Sequence, residues 1–195
     1  MDFLESQRFG EYVRTSIDTL SETLAAFSDD RIERAIDLLV QALAANLPVL
    51  VCGNGGSAAD AEHITGELVG RFLHDRRALN VLCLSSNASV MTAWANDCGY
   101  EGVFARQVEA YGQRGGVLFA ISTSGSSASV LAAAETAGRM RLPVISLTGK
   151  GGGRLVGLSD VLLDVPSRST PLIQQVHVCI YHYICQRIEE RLVSL

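Results

Sequence analysis

The chain has 195 residues, of which 48% are hydrophobic and 19% are charged, and this composition indicates a globular protein with one good core. Its 16 basic and 21 acidic residues give a formal net charge of −5, with the basic residues scattered. A direct nucleic-acid ligand is not expected, because such ligands need a concentrated basic surface. A membrane is not expected either, because no apolar run reaches roughly 18 residues and the N-terminus does not resemble a signal peptide.

The first two predicted elements are helices over residues 1–27 and 30–46, where apolar residues recur at helical spacing. Ser28-Asp29-Asp30 supplies the break and an N-cap, and Pro48 is expected to stop the second helix. We expect residues 1–46 to form a helical arm that packs on the core and on other subunits. Residues 47–195 would form the main domain, and the two parts would make one structural unit.

Five short apolar runs follow, separated mostly by helix-like segments. Such runs are typical of strands buried on both faces. Their alternation with helices predicts an α/β fold with a doubly wound, five-stranded parallel sheet, whose ligands bind beyond the carboxyl ends of the strands. The predicted strands are Val49–Cys52, Val81–Leu84, Val117–Ile121, Val144–Leu147 and Val161–Val165.

A glycine-rich turn, Gly53 to Ser57, joins the first strand to a helix-forming run. Glycines let the backbone approach a ligand closely, and a helix N-terminus offers free N–H groups to an anion. The turn is neither a P-loop nor GxGxxG, so a purely structural turn is the alternative. On the same helix His63 and Glu67 are four residues apart, which predicts either a functional pair or an ordinary surface pair.

A second candidate for anion binding follows the third strand, at Ser122-Thr123-Ser124-Gly125-Ser126-Ser127. Hydroxyls and backbone N–H groups at a helix N-terminus suit a phosphate without Lys or Arg. The alternative is an N-capped turn, although one serine would suffice for that.

The last predicted element is a long helix from Thr170 to Val193 with an apolar stripe. Helical spacing alone does not choose between His177 and His182, or between Gln174 and Gln175, as site residues. The terminal helices carry more apolar positions than one sheet needs, so we expect them to bury surface against other subunits. The five cysteines are odd in number and lack a CxxC pair, which indicates reduced, mostly buried thiols and a cytoplasmic protein.

Five ordered motifs resemble the sugar-isomerase (SIS) domain of phosphoheptose isomerases and, with the N-terminal helical pair, cover nearly the whole chain. They are CGNGGSAADAEH with GEL, AWANDCGYE, ISTSGSS, LTGKGGG and IQQVHVCIYHYIC. The resemblance implies a flavodoxin-like SIS fold and a homotetramer with active sites at subunit interfaces. It also implies conversion of sedoheptulose 7-phosphate to D-glycero-D-manno-heptose 7-phosphate, the first step toward nucleotide-activated heptose for bacterial surface polysaccharide.

The resemblance also implies roles for individual residues. Glu67 and His182 correspond to the family's acid/base pair. Many members bind zinc, and the corresponding ligands here are His63, Glu67, Gln174 and His182. No nucleotide or redox cofactor is required, because the reaction only moves protons. The implied substrate-binding residues are Asn54, Gly55, Gly56, Ser57, Glu67, Asn96, Asp97, Ser122, Thr123, Ser124, Ser127 and Gln174.

The chain departs from the usual family pattern at two places. Ser86-Asn87 and Ser169-Thr170 stand where many members have Thr-Asp and Asp-Thr, which removes two acidic groups near the sugar site. The exact sugar is therefore less well predicted than the reaction class. The rival function is a non-catalytic SIS tetramer that binds the DnaA replication initiator, or a sugar-phosphate sensor. The presence of Glu67 and His182 favours the enzyme, because those tetramers typically replace both positions.

Overall fold

The computed structural model describes residues 8–193, and its core is one five-stranded parallel sheet. The strands run in the order β2-β1-β3-β4-β5, which confirms the predicted doubly wound fold and is the flavodoxin-like order. The direction of winding reverses between β1 and β3, and ligands of such sheets bind at that switch point. The strand bounds are β1 Val49–Cys52, β2 Val81–Cys83, β3 Val117–Ser122, β4 Val144–Thr148 and β5 Val161–Asp164.

The described residues form seven α-helices, five of which cover the two faces of the sheet. Alternate residues of each strand face opposite layers, so Val49 and Val51 pack in one core while Leu50 and Cys52 pack in the other. The first core lies under α2, α3 and α7, and the second lies under α5 and α6. The helix bounds are α1 Phe9–Ala26, α2 Asp29–Ala44, α3 Gly56–Val69, α4 Ala88–Cys98, α5 Val103–Tyr111, α6 Ala128–Met140 and α7 Thr170–Val193.

The register of the strands brings their carboxyl ends to one edge. Cys52 of β1 pairs with Ala120 of β3, and Ser122 of β3 pairs with Thr148 of β4. The glycine-rich turn after β1 and the hydroxyl-rich loop after β3 therefore leave neighbouring strands at almost the same level, at the switch point.

The second helix ends earlier than predicted because of the backbone conformation after Ala44. The second helix ends at Ala44, before Pro48, because Asn46 adopts a left-handed conformation with φ +56°. The N–H of Leu47 then bonds the Ala42 carbonyl at 2.8 Å, which closes the helix end. The N-terminal part of the first predicted helix, including Phe3 and Leu4, lies outside the described residues.

Helix α1 carries an apolar stripe that is largely exposed to solvent. Its buried residues are Thr19 and Thr23, whereas Phe9 is 82% exposed and Leu24 is 80% exposed. Helix α1 packs on α7, where Gln175 donates a hydrogen bond to the Tyr12 hydroxyl at 2.9 Å. The stripe at helical spacing consists of Phe9, Val13, Ile17, Leu20 and Leu24.

All five cysteines are free thiols. Cys52, Cys83 and Cys185 are buried, while Cys98 and Cys179 are exposed. Burial raises the pKa of both Cys52 and Cys185 to about 12, so these two thiols stay protonated and unreactive. Within residues 8–193, none of the helices has the length and apolar character needed to cross a bilayer.

A buried carboxylate holds the segment that follows α3. Glu189 of α7 is fully buried and accepts hydrogen bonds from the backbone N–H groups of Phe72, Leu73 and His74 at 2.6–3.0 Å. Arg76 lies 2.9 Å from the same carboxylate. Burial alone would raise the pKa of Glu189, but the three N–H donors and Arg76 hold it below its ordinary value of 4.5.

We expect Glu189→Gln to lower the free energy of unfolding by about 3–5 kcal/mol, because Arg76 would stay buried without its counter-charge. Urea denaturation at pH 7 measures this. Since the pKa of Glu189 is lower in the folded chain than in the unfolded one, its stabilisation is complete above pH 5 or so and is lost as the pH falls through the folded pKa. The difference in free energy of unfolding between variant and wild type should therefore shrink in acid.

Glu62→Gln, an exposed control on α3, should unfold like the wild type. Equal stability of Glu189→Gln and wild type at pH 7 would contradict this account.

Candidate active site

The first turn needs glycine at Gly53 because of close packing and favours it at Gly55 because of backbone conformation. A Cβ on Gly53 would lie 2.4 Å from the Ser57 carbonyl oxygen, and Gly55, which precedes α3, has φ +56°. A Cβ on Gly56 would lie 2.1 Å from the Nε2 atom of Gln174. The turn therefore exposes bare backbone at the start of α3, as an anion site needs, with the Gln174 amide beside it.

The hydroxyl-rich loop lies at the end of the neighbouring strand. The Oγ atoms of Ser122 and Ser124 are 3.4 Å apart, and Gly125 has φ +61°. Ser127 precedes α6, but its hydroxyl does not cap that helix. The hydroxyls and the first N–H groups of α6 are thus left available to a ligand such as a phosphate.

The loop that follows β4 supports the hydroxyl-rich loop from behind. The N–H of Gly149 bonds the Thr123 carbonyl, and the N–H of Leu155 bonds the Gly125 carbonyl, both at 3.0 Å. A Cβ on Gly125 would lie 2.0 Å from the Gly152 carbonyl oxygen, so only glycine allows this approach. The shape of the hydroxyl-rich loop is therefore fixed by backbone contacts.

Asn54 connects the two turns through its side chain. Its Nδ2 donates to the hydroxyls of Ser127 at 2.8 Å and Ser129 at 3.0 Å, and its Oδ1 accepts from the Tyr100 hydroxyl at 2.7 Å. Asn54 thus fixes the spacing between the two candidate anion sites, in addition to the substrate contact predicted for it. Ser129 and Tyr100 were not predicted as site residues, because only the folded chain brings them to Asn54.

A cluster of two histidines and a carboxylate forms between α3 and α7. One ligand atom from each of His63, Glu67 and His182 lies within 4.8 Å of the others. The Nε2 of His63 is 3.0 Å from Glu67 Oε1 and 3.5 Å from His182 Nε2. Two imidazole nitrogens and one carboxylate oxygen are a donor set that suits a divalent metal, and zinc in particular.

The surroundings of His182 favour its neutral form. Burial is the largest factor that lowers its pKa, the charge of His63 lowers it further, and Glu67 partly opposes both. The ring of Phe72 stacks on the imidazole, with 5.4 Å between centroids and 22° between planes. A neutral imidazole is the form that ligates a metal or accepts a proton. Phe72 comes from the segment held by Glu189, and no sequence pattern predicted that this segment meets the site.

His63 is held from its other side by a tyrosine. The Tyr181 hydroxyl is 2.9 Å from His63 Nδ1, and the Asp60 carboxyl is close enough to both residues for them to affect its pKa. Burial raises the pKa of Asp60 to about 6, although Tyr181 and His63 oppose this rise. Neither residue was predicted, yet Asp60 precedes His63 by three residues and so lies on the same face of α3.

The structure separates the histidines and glutamines that helical spacing left equivalent. His177 is fully buried, bonds the Thr148 carbonyl through Nε2 at 3.1 Å, and has its pKa lowered by burial to about 4. His177 is therefore a neutral core residue, while His182 joins the cluster. Gln175 faces α1, and Gln174 lies beside Gly56.

Gln174 and the cluster lie at different ends of the α3–α7 contact. Gln174 contacts Gly56, the first residue of α3, whereas His182 contacts His63 on the second turn. The step of eight residues from Gln174 to His182 spans about 12 Å of helix. The first turn therefore holds the Gln174 side chain, whose predicted role as a metal ligand stays a prediction.

The remaining predicted positions lie on exposed elements. Asn96 and Asp97 are exposed on α4 and bond each other at 2.8 Å. Of the two places that depart from the family pattern, Asn87 caps α4 by accepting from the N–H of Val90 at 3.1 Å. Ser169 accepts from the N–H of Ile173 at the start of α7. Both pairs of residues therefore lie at the N-terminus of a helix, Ser86-Asn87 at α4 and Ser169-Thr170 at α7.

Comparisons with known proteins agree on one family. A family model described as SIS domain matches residues 11–149. The phosphoheptose isomerase of Helicobacter pylori strain P12 is 44% identical over 179 residues, covering 92% of this chain and 89% of that protein. That of Synechocystis is 42% identical and covers 94% and 95%. The solved structure of a phosphoheptose isomerase from Francisella tularensis is 36% identical, covers 93% of this chain and 96% of its own, and superposes with a TM-score of 0.89.

Proposed function

The chain belongs to the SIS domain family and to its phosphoheptose isomerases, and from this we propose that it isomerises sedoheptulose 7-phosphate to D-glycero-D-manno-heptose 7-phosphate. The product is an aldose phosphate, and the step is the first toward nucleotide-activated heptose. The reaction moves one proton between adjacent carbons through an enediol and another between their oxygens. It needs a base, an acid and an anchor that fixes the chain of the sugar.

The observation that carries the proposal is the position of two chemically different sites along α3. The N-terminus of α3 lies at the switch point with the hydroxyl-rich loop, which suits a phosphate. The His63–Glu67–His182 cluster begins seven residues later, about 10 Å along the helix. In sedoheptulose 7-phosphate the phosphate and the reacting carbons are likewise at opposite ends of an extended chain.

Glu67 and His182 supply the acid and the base. Glu67 removes the proton from the carbon next to the carbonyl and returns it to the neighbouring carbon. His182, kept neutral by its surroundings, moves the proton between the two oxygens. The presence of both residues in one cluster favours an enzyme over a non-catalytic SIS tetramer that binds DnaA, or a sensor.

His63, Glu67 and His182 would hold zinc, since three protein ligands with one open position are typical of a catalytic zinc site. Bound there, zinc would polarise the substrate carbonyl and hydroxyl oxygens. Gln174, implied by the resemblance as a fourth ligand, lies beside the first turn, where its amide would bind the sugar. Metal ligation makes Glu67 a weaker base, so its roles as metal ligand and as base compete. Metal analysis of Glu67 variants shows whether a loss of activity comes with a loss of metal.

Replacing either member of the acid/base pair should abolish turnover while the protein stays folded. For Glu67→Gln and His182→Ala we expect kcat to fall by about 10²–10⁴-fold, the usual contribution of such groups. Proton NMR of the enzyme with sedoheptulose 7-phosphate measures the rate, and metal analysis of each variant accompanies it. Glu62→Gln and His74→Ala are matched controls that should retain activity. Near-wild-type turnover in a folded Glu67→Gln or His182→Ala variant would refute the assignment.

Removing hydroxyls from the anchor should weaken substrate binding more than it slows chemistry. Each hydrogen bond to a charged group is worth about 1.5–3 kcal/mol, so Ser122→Ala with Ser124→Ala should raise KM at least about tenfold. Ser126→Ala, in the same loop but outside the predicted set, is the control and should leave KM unchanged. The inhibition constant of unphosphorylated sedoheptulose for the wild type should be much higher than the KM for the phosphorylated sugar. Similar values would show that the loop does not bind the phosphate.

The exposed stripe of α1 supports a homotetramer. Five apolar side chains of α1 are each at least 37% exposed, and such a face suits a symmetric contact with another copy. In the assembly we expect the pocket to be closed by residues of a neighbouring chain, and Asn96 and Asp97 on exposed α4 to reach the sugar there. The isomerase would work in the cytoplasm, where its thiols stay reduced.

Charges placed in the α1 stripe should disrupt assembly and activity together. Light scattering of the wild type should give four times the chain mass of 20.9 kDa. Ile17→Glu with Leu24→Glu should give a smaller species with lost turnover, although no acid/base residue has changed. Asp18→Lys with Glu22→Lys, exposed positions of the same helix outside the stripe, should leave the assembly intact. A fully active wild-type monomer would exclude the shared site.

A further inference from the structure

A half-exposed tyrosine is bonded to the side chain that connects the two turns of the site. The Tyr100 hydroxyl donates to Asn54 Oδ1 at 2.7 Å, although the two residues are 46 positions apart and Tyr100 is 49% exposed. Tyr100 begins the short 3₁₀ helix Tyr100–Gly102, which follows α4. Most side-chain hydrogen bonds in proteins go to backbone or water, so a direct bond between two side chains this far apart in sequence is a specific contact.

The Asn54 amide is held through both ends of its planar group. Nδ2 donates to Ser127 Oγ at 2.8 Å and to Ser129 Oγ at 3.0 Å, while Oδ1 accepts from Tyr100. The two serines lie at the start of α6, and Tyr100 lies after α4. Without the tyrosine, the oxygen end of the amide would lose the partner that holds it against the serines.

Ser127 is the point at which this hold reaches the phosphate anchor. Its hydroxyl accepts the Asn54 N–H and does not cap α6, so its own proton is available to a ligand. Ser129 Oγ, at 3.4 Å, is only a distant competitor for that proton. The anchor consists of hydroxyls and backbone N–H groups, whose hydrogen bonds weaken steeply when they are misaligned. The strength of phosphate binding therefore depends on how firmly Asn54 holds Ser127.

We propose that Tyr100 is a positioning residue that acts through Asn54, holding its amide against Ser127 and Ser129 so that the anchor is aligned for the phosphate. The inference rests on the phosphate anchor of the proposed function. The hydroxyl proton of Tyr100 is given to Asn54 and not to the substrate. Loss of the hydroxyl should therefore weaken phosphate binding without slowing proton transfer at the His63–Glu67–His182 cluster, which lies further along α3.

Steady-state kinetics of Tyr100→Phe, which removes only the hydroxyl, test this role. We expect KM for sedoheptulose 7-phosphate to rise about three- to tenfold, the effect of one neutral hydrogen bond, while kcat stays within about twofold of the wild type. Tyr111→Phe, an exposed tyrosine at the end of α5, is the matched control and should keep the wild-type KM. A Tyr100→Phe variant with a lower kcat and an unchanged KM would contradict the proposal.

A double-mutant cycle shows whether Tyr100 acts through Asn54. Asn54→Ala removes the amide and should raise KM by itself, because Asn54 is also a predicted substrate contact. Adding Tyr100→Phe to Asn54→Ala should change KM no further, since the hydroxyl then has no amide to hold. If the two effects multiplied in the double variant, Tyr100 would act independently of Asn54, and the proposal would be overturned.

Inorganic phosphate reports on the anchor without turnover. Calorimetric titration of the full-length protein should give a dissociation constant for phosphate that is about three- to tenfold higher in Tyr100→Phe than in the wild type. An unchanged constant, or a wild type that binds no phosphate, overturns the proposal. Failure of the proposed function would look different: the wild type would bind phosphate and Tyr100→Phe would weaken that binding, yet sedoheptulose 7-phosphate would not be isomerised.

Discussion

The packing of α3 along α7 is the contact on which the candidate site depends. At one end Gln174 lies against Gly56, and at the other His182 meets His63. At the first contact glycine leaves room for the Gln174 amide, which a side chain at position 56 would displace. The second brings together side chains more than 100 residues apart in sequence. One helix pair therefore positions both the candidate anion end and the His63–Glu67–His182 cluster.

The sheet sets the position of the glycine-rich turn relative to the hydroxyl-rich loop. Because β1 and β3 are parallel neighbours in register, the turns that follow them open at the same level, and the Asn54 amide spans the gap between them. Hydrogen bonds of this kind require no charge, so the anion site can form in a chain with few lysines. The side chain of Asn54 shapes the site by setting its width.

Much of this arrangement follows from local sequence, and the rest from contacts that local sequence does not encode. The apolar runs predicted every strand to within one or two residues, since a strand covered on both faces tolerates few polar residues. The choice of His182 over His177 could not be made from spacing, because it depends on which face of α7 meets α3. Tyr181, Phe72 and Glu189 were missed for the same reason. Asp60 could have been predicted as a site residue, because it is an acidic residue one turn before His63 on the buried face of α3.

The order in which the parts are synthesised adds a consequence. Helix α7 follows all five strands along the chain, yet it packs on α1, α2, α3 and β4 and supplies His182, Tyr181 and Glu189. Until it emerges, the core face beneath α2 and α3 stays open to solvent, and the segment carrying Phe72 lacks the carboxylate that holds it. A nascent chain that has completed all five strands therefore still lacks the His63–Glu67–His182 cluster. Synthesis of α7 couples the closing of the core to the assembly of that cluster.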